Sequence, residues 1–415
     1  MGLPRVLVLA YYFPPLGGGG VQRTLKFVKY LPAAGYDPVV VTTTAIGHGL
    51  RDPGLAADVP PSAIVLRAGT LPLHVAKWKL EAVLRRLGLP LRLAQGVAWP
   101  DEFVGWAPGA LLAALRAVRR YRPDVIYSTS SPVSAHLVAL AVKRLTGVPW
   151  VADFRDAWTL NPEGAHLYAR LSRRLERAVV GTADRFVVAD ESVGIRDVPD
   201  DDPRRVVIHN GVDADDLPAP TAQTSGSRFR LAHVGMLYGQ RDAAPVFAAL
   251  RHLVAEGTVA RDRVELRLVG DARLDSAATA GVPLTRRPYV DHRAAVAEMG
   301  TADALLLYQP SGWNGASGKL YEYLATGRPI LCVAPPENLG FRLVAELGAG
   351  ICVAPEDPAA IERAIEQLYR SWCAGELAPS AEVRAEALRR FSRETLAREL
   401  ADVLDDARGQ SPFRG

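Results

Sequence analysis

Short strand-like runs alternate with helix-like segments along this chain, and the alternation stops once and then restarts. The runs are rich in Val, Ile and Leu without polar alternation, which is typical of parallel strands buried on both faces. Strands joined by crossover helices indicate a parallel sheet that is covered by helices on both sides. In the first half we predict a helix from about Val21 to Ala34 and strands at Arg5–Ala10, Pro38–Thr42, Asp124–Ser128, Pro149–Asp153, Arg185–Ala189 and Arg205–His209.

The interruption is the segment LPAPTAQTSGSR at residues 217–228, whose Pro, Ser and Thr content predicts a linker. The sequence therefore predicts two doubly wound α/β domains at 1–216 and 229–385, and residues 386–415 would hold a tail and a C-terminal helix that could pack back on the N-terminal domain. That helix is predicted as one long element from about Ser380 to Ala407. Further predicted elements are the strands Arg230–Val234, Val264–Val269, Ala304–Leu307, Pro329–Val333 and Gly350–Val353 and the helices Lys319–Ala325 and Ala359–Tyr369.

Composition narrows the class of protein. At 415 residues the chain is longer than one hydrophobic core usually supports, and 7% aromatic residues argue against an aromatic-lined nucleic-acid channel. Cys332, Cys352 and Cys373 form no CxxC pair, so a disulfide framework or structural zinc is not indicated and a reducing cytoplasm is the simpler interpretation. No apolar run reaches the ~18 residues of a membrane span, so we expect a soluble or at most peripheral protein.

The most informative motif is SGKLYEYLATGRPI at residues 317–330, which follows a predicted strand and opens a helix. Ser317, Gly318 and Lys319 place backbone N–H groups and a cation at a helix N-terminus, where negative charge is favoured. Glu322 lies one turn further, where a carboxylate could accept hydrogen bonds from a sugar diol. These residues predict a phosphate and sugar site, and the alternative is a serine-capped helix with one salt bridge.

The same segment closely resembles the donor-site helix of the family-4 retaining glycosyltransferases of GT-B fold. Five further motifs resemble that family in the same order, so the resemblance covers essentially the whole chain: AYYFPPLGGGGVQR, VADFRDAW, VIHNGVD, HVGMLYGQRD and LVGD. YYFPP and DFRDAW are similar to the branch that builds polysaccharides or decorates secondary metabolites. The resemblance implies two Rossmann-like domains that face each other across a cleft.

The resemblance implies a nucleotide-sugar site in the C-terminal domain. Glu322 matches the second of two family glutamates, which holds the ribose, but Asn314 stands where the first would be. Asn314, with the amides of Gly315 and Ala316, would then contact the donor sugar. The other residues carried over to the donor site are Ser317, Gly318 and Leu320, and Tyr289 and Val290 at the base, although a buried Tyr289 packed at a strand end is an equally good interpretation.

The cations of the site also depart from the family pattern. Met236 replaces the usual Arg, and Arg241 stands where relatives have a Lys. Arg241 and Lys319 are therefore predicted to neutralise the leaving diphosphate, as part of the catalytic machinery. The alternative for Arg241 is an exposed loop residue.

Two features of the N-terminal half complete the predicted site. Gly18 and Gly19 belong to a run of four glycines between a strand and a helix, and the resemblance implies that this loop faces the diphosphate and acceptor. Asp153 and Asp156 are predicted to orient the acceptor hydroxyl or stabilise positive charge at the anomeric carbon. Alternatively, Arg155 pairs with one of them as a structural bridge.

We therefore expect a hexosyl- or N-acetylhexosaminyl-type transferase that moves sugar from a nucleoside-diphosphate sugar to a hydroxyl acceptor with retention. No cofactor and no metal are expected, the partners are the donor and the acceptor with no nucleic acid, and the location is cytoplasmic. Two basic stretches, Lys77–Arg92 and Arg170–Arg177, could rest on the inner face of a membrane or be ordinary surface helices. The alternatives for function are a nucleotide-sugar epimerase of the same fold and a non-catalytic nucleotide-sugar-binding subunit.

Overall fold

A computed structural model describes residues 2–44, 50–160, 168–218, 226–237, 243–270, 279–312 and 314–409. The chain forms two compact units, of which the first takes Met1–Asn210 with Arg393–Gly415 and the second takes Gly211–Ser392. Each unit is built on one parallel sheet with interleaved helices. Among the described residues, no helix is both long enough and apolar enough to span a bilayer.

The sheet of the first unit has seven parallel strands in the order β3-β2-β1-β4-β5-β6-β7. The strands are β1 (Arg5–Leu9), β2 (Asp37–Thr43), β3 (Ile64–Ala68), β4 (Val125–Ser130), β5 (Trp150–Phe154), β6 (Arg185–Val188) and β7 (Arg205–Val207). The helices are α1 (Gly19–Tyr30), α2 (Leu73–Arg86), α3 (Ala107–Tyr121), α4 (Ser134–Thr146), α5 (Ala169–Val180) and, from the end of the chain, α12 (Arg393–Ala407).

Both faces of this sheet are buried, as the unbroken apolar runs predict. Leu7 and Leu9 of β1 belong to the core that includes buried residues of α3 and α4. Val6 and Val8 point to the opposite face and share a core with α1 and α12. Successive residues of one strand therefore pack on opposite helical layers, which defines a doubly wound sheet.

The sheet of the second unit has six parallel strands in the order β10-β9-β8-β11-β12-β13. The strands are β8 (Phe229–Val234), β9 (Val264–Val269), β10 (Leu284–Arg287), β11 (Ala304–Tyr308), β12 (Ile330–Val333) and β13 (Gly350–Val353). The helices are α6 (Ala244–Ala255), α7 (His292–Gly300), α8 (Gly318–Thr326), α9 (Leu339–Glu346), α10 (Pro358–Cys373) and α11 (Ala381–Phe391). Two hydrophobic clusters cover its two faces.

The helix predicted as one element from Ser380 to Ala407 is in fact two. Ser392 has extended backbone angles (φ −65°, ψ 140°) and separates α11 from α12. Phe391 packs in the core of the second unit, whereas Leu400 packs in the core of the first. The amphipathic period continues through both helices, so sequence periodicity could not reveal the break.

The boundaries between the two units differ from the predicted ones. The predicted boundary is the linker at 217–228, but the second unit begins at Gly211. Val212 is buried in the core of the second unit, and its N–H donates to the carbonyl of Phe391. The boundary is therefore set by packing, which cannot be read from composition. Residues 219–225 of the predicted linker lie outside the described residues.

Two edge strands were not predicted, and α1 is displaced from its predicted range. Both β3 and β10 are only partly buried. β10 reads LTRR and has no apolar run, whereas β3 reads IVLRA and carries a short apolar run that the sequence analysis did not single out. α1 begins inside the glycine run and ends at Tyr30. The Gly18 before it has φ +89°, and a Cβ there would lie 2.9 Å from the Leu50 side chain, so this helix start requires glycine.

Candidate active site

The start of α8 carries most of the residues predicted to bind a donor. Ser317 takes the N-cap position with extended backbone angles, but its side chain makes no capping hydrogen bond. Within the described residues, the buried Ser317 hydroxyl oxygen has no hydrogen-bond partner. The alternative of a simple serine-capped helix is therefore wrong. The Leu320 N–H donates to the Ser317 carbonyl at 3.0 Å, so the amides of Ser317 and Gly318 are the ones proposed to meet an anion.

Lys319 is held over the end of β8 by a buried histidine. The ring Nδ1 of His233 lies 3.0 Å from the Leu306 carbonyl oxygen, which can only accept, so Nδ1 carries the proton. The His233 Nε2 is then an acceptor, and it lies 3.0 Å from the Lys319 ammonium nitrogen. His233 is 1% exposed, and this contact fixes the cation beside the strand end.

Two glycines at the ends of β8 and β9 keep this place open. Gly235 has φ +135°, and a Cβ there would lie 2.4 Å from the Lys319 nitrogen. A Cβ on Gly270 would lie 2.7 Å from the Gly235 carbonyl oxygen. The Gly235 N–H donates to the Val269 carbonyl at 2.7 Å, so the two strand ends approach closely. A side chain at 235 would displace the Lys319 amine, and one at 270 would collide with the Gly235 backbone, which explains why both positions are glycine.

Glu322 lies one helical turn beyond Lys319, and its side chain is 17% exposed. The His292 Nε2, at the start of α7, lies 3.7 Å from a Glu322 carboxylate oxygen and 3.2 Å from Asp216. The structure thus groups two carboxylates with an imidazole. Sequence reasoning missed His292 and Asp216, because nothing in the spacing links residues so far apart in the chain.

The loop before α8 is tied to the start of α9. The Leu339 N–H donates to the Asn314 carbonyl at 2.8 Å, and the Asn338 side-chain amide donates to the Gly315 carbonyl at 2.9 Å. Asn314 is exposed and Ala316 is buried in the core. These bonds fix the backbone of the segment that was predicted to face the donor sugar.

The remaining predicted donor residues differ in exposure. Leu320 is fully buried in the core of the second unit, so its side chain cannot reach a ligand in this conformation and only its backbone is left for the predicted role. Tyr289 is 43% exposed after β10, which rules out the alternative of a buried tyrosine. Val290 is half-buried against the core beside it. Met236 is exposed, and Arg241 lies outside the described residues.

Gln309 is a further polar residue that the sequence analysis did not single out. It directly follows β11 and is 2% exposed, and its N–H donates to the Val333 carbonyl. Its buried Oε1 has no partner among the described residues. Its position in the sequence could have identified it, since a polar residue directly after a fully buried strand lies at the edge of the sheet where α/β folds bind ligands.

Asp153 lies inside the first unit and not at an exposed edge. Its carboxylate is 0% exposed and accepts from both Nε (3.0 Å) and a terminal nitrogen (2.9 Å) of Arg23. The hydroxyls of Tyr127 (2.5 Å) and Thr129 (2.8 Å) donate to it as well. Burial alone would raise the pKa of Asp153, but the guanidinium and these hydroxyls outweigh it and lower the pKa. No acceptor hydroxyl can reach this carboxylate in the observed conformation.

Among the described residues, Arg155 binds backbone carbonyls and no carboxylate. Its three guanidinium nitrogens donate to the carbonyls of Ser130 (2.5 Å), Ser131 (2.5 Å) and Gly20 (2.6 Å). The alternative in which Arg155 pairs with Asp153 or Asp156 is therefore wrong. Arg155 instead joins the end of β4 to the glycine run, in which Gly19 is exposed and Gly18 is half-buried.

A cavity of about 340 Å³ lies beside Asp156 in the first unit. Its wall includes four aromatic residues, Tyr12, Trp99, Phe103 and Trp158. Asp156 is exposed at this wall, unlike Asp153. The cavity combines an apolar body with a few charged groups, which is typical of a small-molecule site.

The other charges of the cavity have partners. Lys77 lies 2.5 Å from Glu102 and 3.6 Å from Glu81. Asp101 accepts from the N–H and hydroxyl of Ser134, both at 2.6 Å, although burial still raises its pKa. Sequence reasoning missed this cavity, because its wall is assembled from five separate parts of the chain.

Two family models match the chain one after the other. The "Glycosyl transferase 4-like domain" matches residues 18–211, and "Glycosyl transferases group 1" matches residues 228–371. The chain belongs to the family-4 glycosyltransferases. The first match contains Gly18, Gly19 and Asp156, and the second contains Lys319 and Glu322. No curated protein sequence matches this glycosyltransferase.

Solved structures establish the fold of this glycosyltransferase as GT-B. A sucrose-phosphate synthase from Thermosynechococcus elongatus is 16% identical with a TM-score of 0.68, over 99% of this chain and 100% of that one. WaaG, a glycosyltransferase involved in lipopolysaccharide biosynthesis, is 14% identical with a TM-score of 0.61, over 96% and 99%. The glycosyltransferase of kitacinnamycin is 16% identical with a TM-score of 0.55, over 97% and 100%.

Proposed function

We propose that this glycosyltransferase moves a hexosyl or N-acetylhexosaminyl group from a nucleoside-diphosphate sugar to a hydroxyl acceptor, with retention at the anomeric carbon. The observation that carries the proposal is the Lys319 ammonium group, held by His233 at the open N-terminus of α8. A fixed cation beside free helix amides stabilises a departing diphosphate without reorganising during the reaction.

The donor is proposed to lie along the second unit. Lys319 and the amides of Ser317 and Gly318 would bind the diphosphate together with Arg241. Glu322 would accept hydrogen bonds from the ribose hydroxyls, with His292 orienting its carboxylate at 3.7 Å. The exposed Tyr289 and its neighbour Val290 would pack on the base.

The donor sugar would contact Asn314 and the amides of Gly315 and Ala316. The loop is fixed by its bonds to the start of α9, which favours a defined sugar orientation. An amide both donates and accepts, whereas a carboxylate only accepts. Asn314 would therefore select among sugars by a different hydrogen-bond pattern from that of a glutamate.

The acceptor is proposed to bind in the first unit, in the cavity beside Asp156. Its aromatic wall favours an acceptor with an apolar body, such as a lipid-linked glycan or a natural product, over a long hydrophilic polysaccharide. Asp156 would orient the reacting hydroxyl. Asp153, being buried, would act as a positioning residue that fixes Arg23 and β4, and Gly18 and Gly19 would admit the diphosphate close to the backbone.

We propose that the reaction requires no metal and no cofactor, since Lys319, Arg241 and the helix amides would supply the positive charge that a metal otherwise provides. A cytoplasmic location is proposed as well, because Cys332, Cys352 and Cys373 are unpaired.

The test is a calorimetric titration of nucleoside diphosphates and their sugars into the wild type and Glu322→Ala, in the presence of a chelator. We expect the wild type to bind one nucleotide class and the variant to lose at least roughly tenfold in affinity, since a charged hydrogen bond contributes about 1.5–3 kcal/mol. Unchanged donor affinity in the variant would show that the site is misplaced.

Product analysis with the donor and a pool of lipid-linked and aromatic acceptors distinguishes a transferase from an epimerase and from a binding subunit. A new glycoside with the donor's anomeric configuration supports the proposal. An epimerised donor without transfer would identify an epimerase instead. Donor binding with neither hydrolysis nor transfer would identify a binding subunit.

A further inference from the structure

The first unit concentrates exposed apolar side chains on one segment. Sixteen large hydrophobic side chains are exposed among the described residues, and seven of them lie within residues 71–93. Single exposed leucines are ordinary, whereas a contiguous group usually marks an interaction surface. The seven are Leu71, Trp78, Val83, Leu87, Leu89, Leu91 and Leu93.

The same segment is strongly basic. It contains five Lys or Arg and one Glu, a net charge of +4, and the formal charge of the whole chain is also +4. Its single acid, Glu81, lies near Lys77 at the cavity. Lys79, Arg85, Arg86 and Arg92 are exposed, and in the described part of the chain none of them forms an ion pair.

Apolar and basic side chains share one face of α2. The helix buries His74 and Leu84 on its inner side. Lys79, Val83 and Arg86 lie on the opposite side, because residues three, four or seven apart share a helix face. Trp78 is 45% exposed and lies at the margin of this face, with its ring 5.1 Å from that of His74. A surface helix usually turns a polar side to water, so a side that mixes basic residues with several exposed apolar ones is suited to a partner that is apolar and negatively charged.

Helix α5 extends this surface. The ring of Tyr168 lies 5.8 Å from that of Trp99, and the Trp99 Nε1 donates to the Ser172 hydroxyl at 3.1 Å. The start of α5 therefore lies next to the stretch that follows residue 93. It adds the exposed residues Leu171, Arg170, Arg173 and Arg174, and no ion pair is formed by these three arginines within the described ranges.

We propose that residues 71–93 and 168–174, the basic apolar surface, dock on the anionic face of a lipid bilayer. Leucine and tryptophan side chains would enter the headgroup region while Lys and Arg contact anionic lipids, a combination that neither an apolar protein groove nor a free phosphate satisfies. The docking does not depend on the proposed transferase activity.

The experiment is cosedimentation of the full-length protein with vesicles of phosphatidylcholine containing about one third phosphatidylglycerol, and with pure phosphatidylcholine. The test variant is Arg86→Glu with Leu87→Glu at the end of α2. The matched control is Arg144→Glu with Leu145→Glu at the end of α4, since Leu87 and Leu145 are 65% and 67% exposed. Thermal melting of both variants checks that they fold, and Arg92→Glu with Leu93→Glu provides a second test variant.

The wild type and the control are expected to bind the anionic vesicles in low salt, and the test variants to bind at least roughly tenfold more weakly. Binding should weaken in high salt, since screening shortens the range of the charges. Three results would overturn the proposal: no binding by the wild type, equal loss in test and control variants, or a wild-type dimer that becomes monomeric in the test variant.

Discussion

A single side-chain contact, between Lys319 and His233, fixes the position of the ammonium group at the start of α8. A lysine on a flexible stem normally loses much rotamer entropy when it binds an anion. Here the buried imidazole of His233 holds the amine before any ligand binds, in space that glycine at position 235 leaves open. Preorganisation of this kind lowers the cost of binding.

Replacing Lys319 by Met should lower the affinity for the preferred nucleoside diphosphate by roughly tenfold or more, because a charge-assisted hydrogen bond contributes about 1.5–3 kcal/mol. The affinity for the corresponding nucleoside should stay within about twofold, since the proposed contact is to phosphate only. Ligand-observed NMR and calorimetry measure both values. Glu322→Ala provides the contrast, because loss of the proposed ribose contact should lower the affinity for the nucleoside as well as for the nucleoside diphosphate. A Lys319 variant that weakens both ligands equally would contradict a phosphate-specific role.

At the scale of elements, the buried strands and α8 could be predicted from the sequence. Parallel strands buried on both faces read as unbroken apolar runs, and the SGKLYEYL motif placed α8 within one residue at each end. β10 could not be predicted, because a half-exposed edge strand such as LTRR has no apolar pattern. Asp153 was expected at an exposed edge, but β5 extends one residue past it, and its partners Arg23 and Tyr127 come from distant elements.

The elements β4, β5 and α4 are joined by a buried hydrogen-bonded chain. The Trp150 Nε1 donates to the Ser128 hydroxyl at 2.8 Å, and that hydroxyl lies 2.8 Å from the His136 Nδ1. Burial, assisted by the charge of Arg155, lowers the pKa of His136 to about 3. A neutral imidazole is therefore part of the folded first unit.

This histidine predicts a pH dependence of stability. An unfolded histidine has a pKa of about 6.5, so between about pH 3 and 6.5 the unfolded state binds more protons and the free energy of unfolding falls as pH falls. The loss is at most about 1.4 kcal/mol per pH unit. His136→Asn keeps an acceptor for Ser128 but cannot titrate. The wild type loses stability as the pH falls and the variant does not lose this part, so the difference between their free energies of unfolding should shrink from pH 6.5 to 4.5. Calorimetric unfolding of the full chain measures this, and a constant gap would mean that His136 is not held neutral.

At the scale of the whole molecule, the first unit is completed by the last helix. Leu396, Leu400 and Leu404 of α12 are at most 1% exposed and share a core with Val21 and Leu25 of α1. The Tyr36 hydroxyl donates to Asp405 at 2.5 Å, and Arg408 donates to the same hydroxyl at 3.1 Å. The chain thus leaves the first unit at residue 210 and rejoins it at 393.

Leu400→Ala should destabilise the first unit by about 2–5 kcal/mol, as expected for a cavity in a packed core. Arg398→Ala on the exposed side of the same helix should change stability by no more than about 0.5 kcal/mol. Hydrogen exchange followed by mass spectrometry reports the two units separately in the intact chain. If Leu400→Ala instead lowered the exchange protection of β8–β13 and not that of β1–β7, α12 would belong to the core of the second unit, and the prediction would be wrong.

The return of α12 also has a consequence for the order in which the protein is made. Residues 211–392 form a continuous stretch, so all of the second unit is synthesised before α12, the helix that completes the core of the first unit. Domains generally fold as units during synthesis, with the N-terminal one first. The first unit of this protein departs from that order, because part of its apolar surface stays uncovered until residues 393–407 have been synthesised.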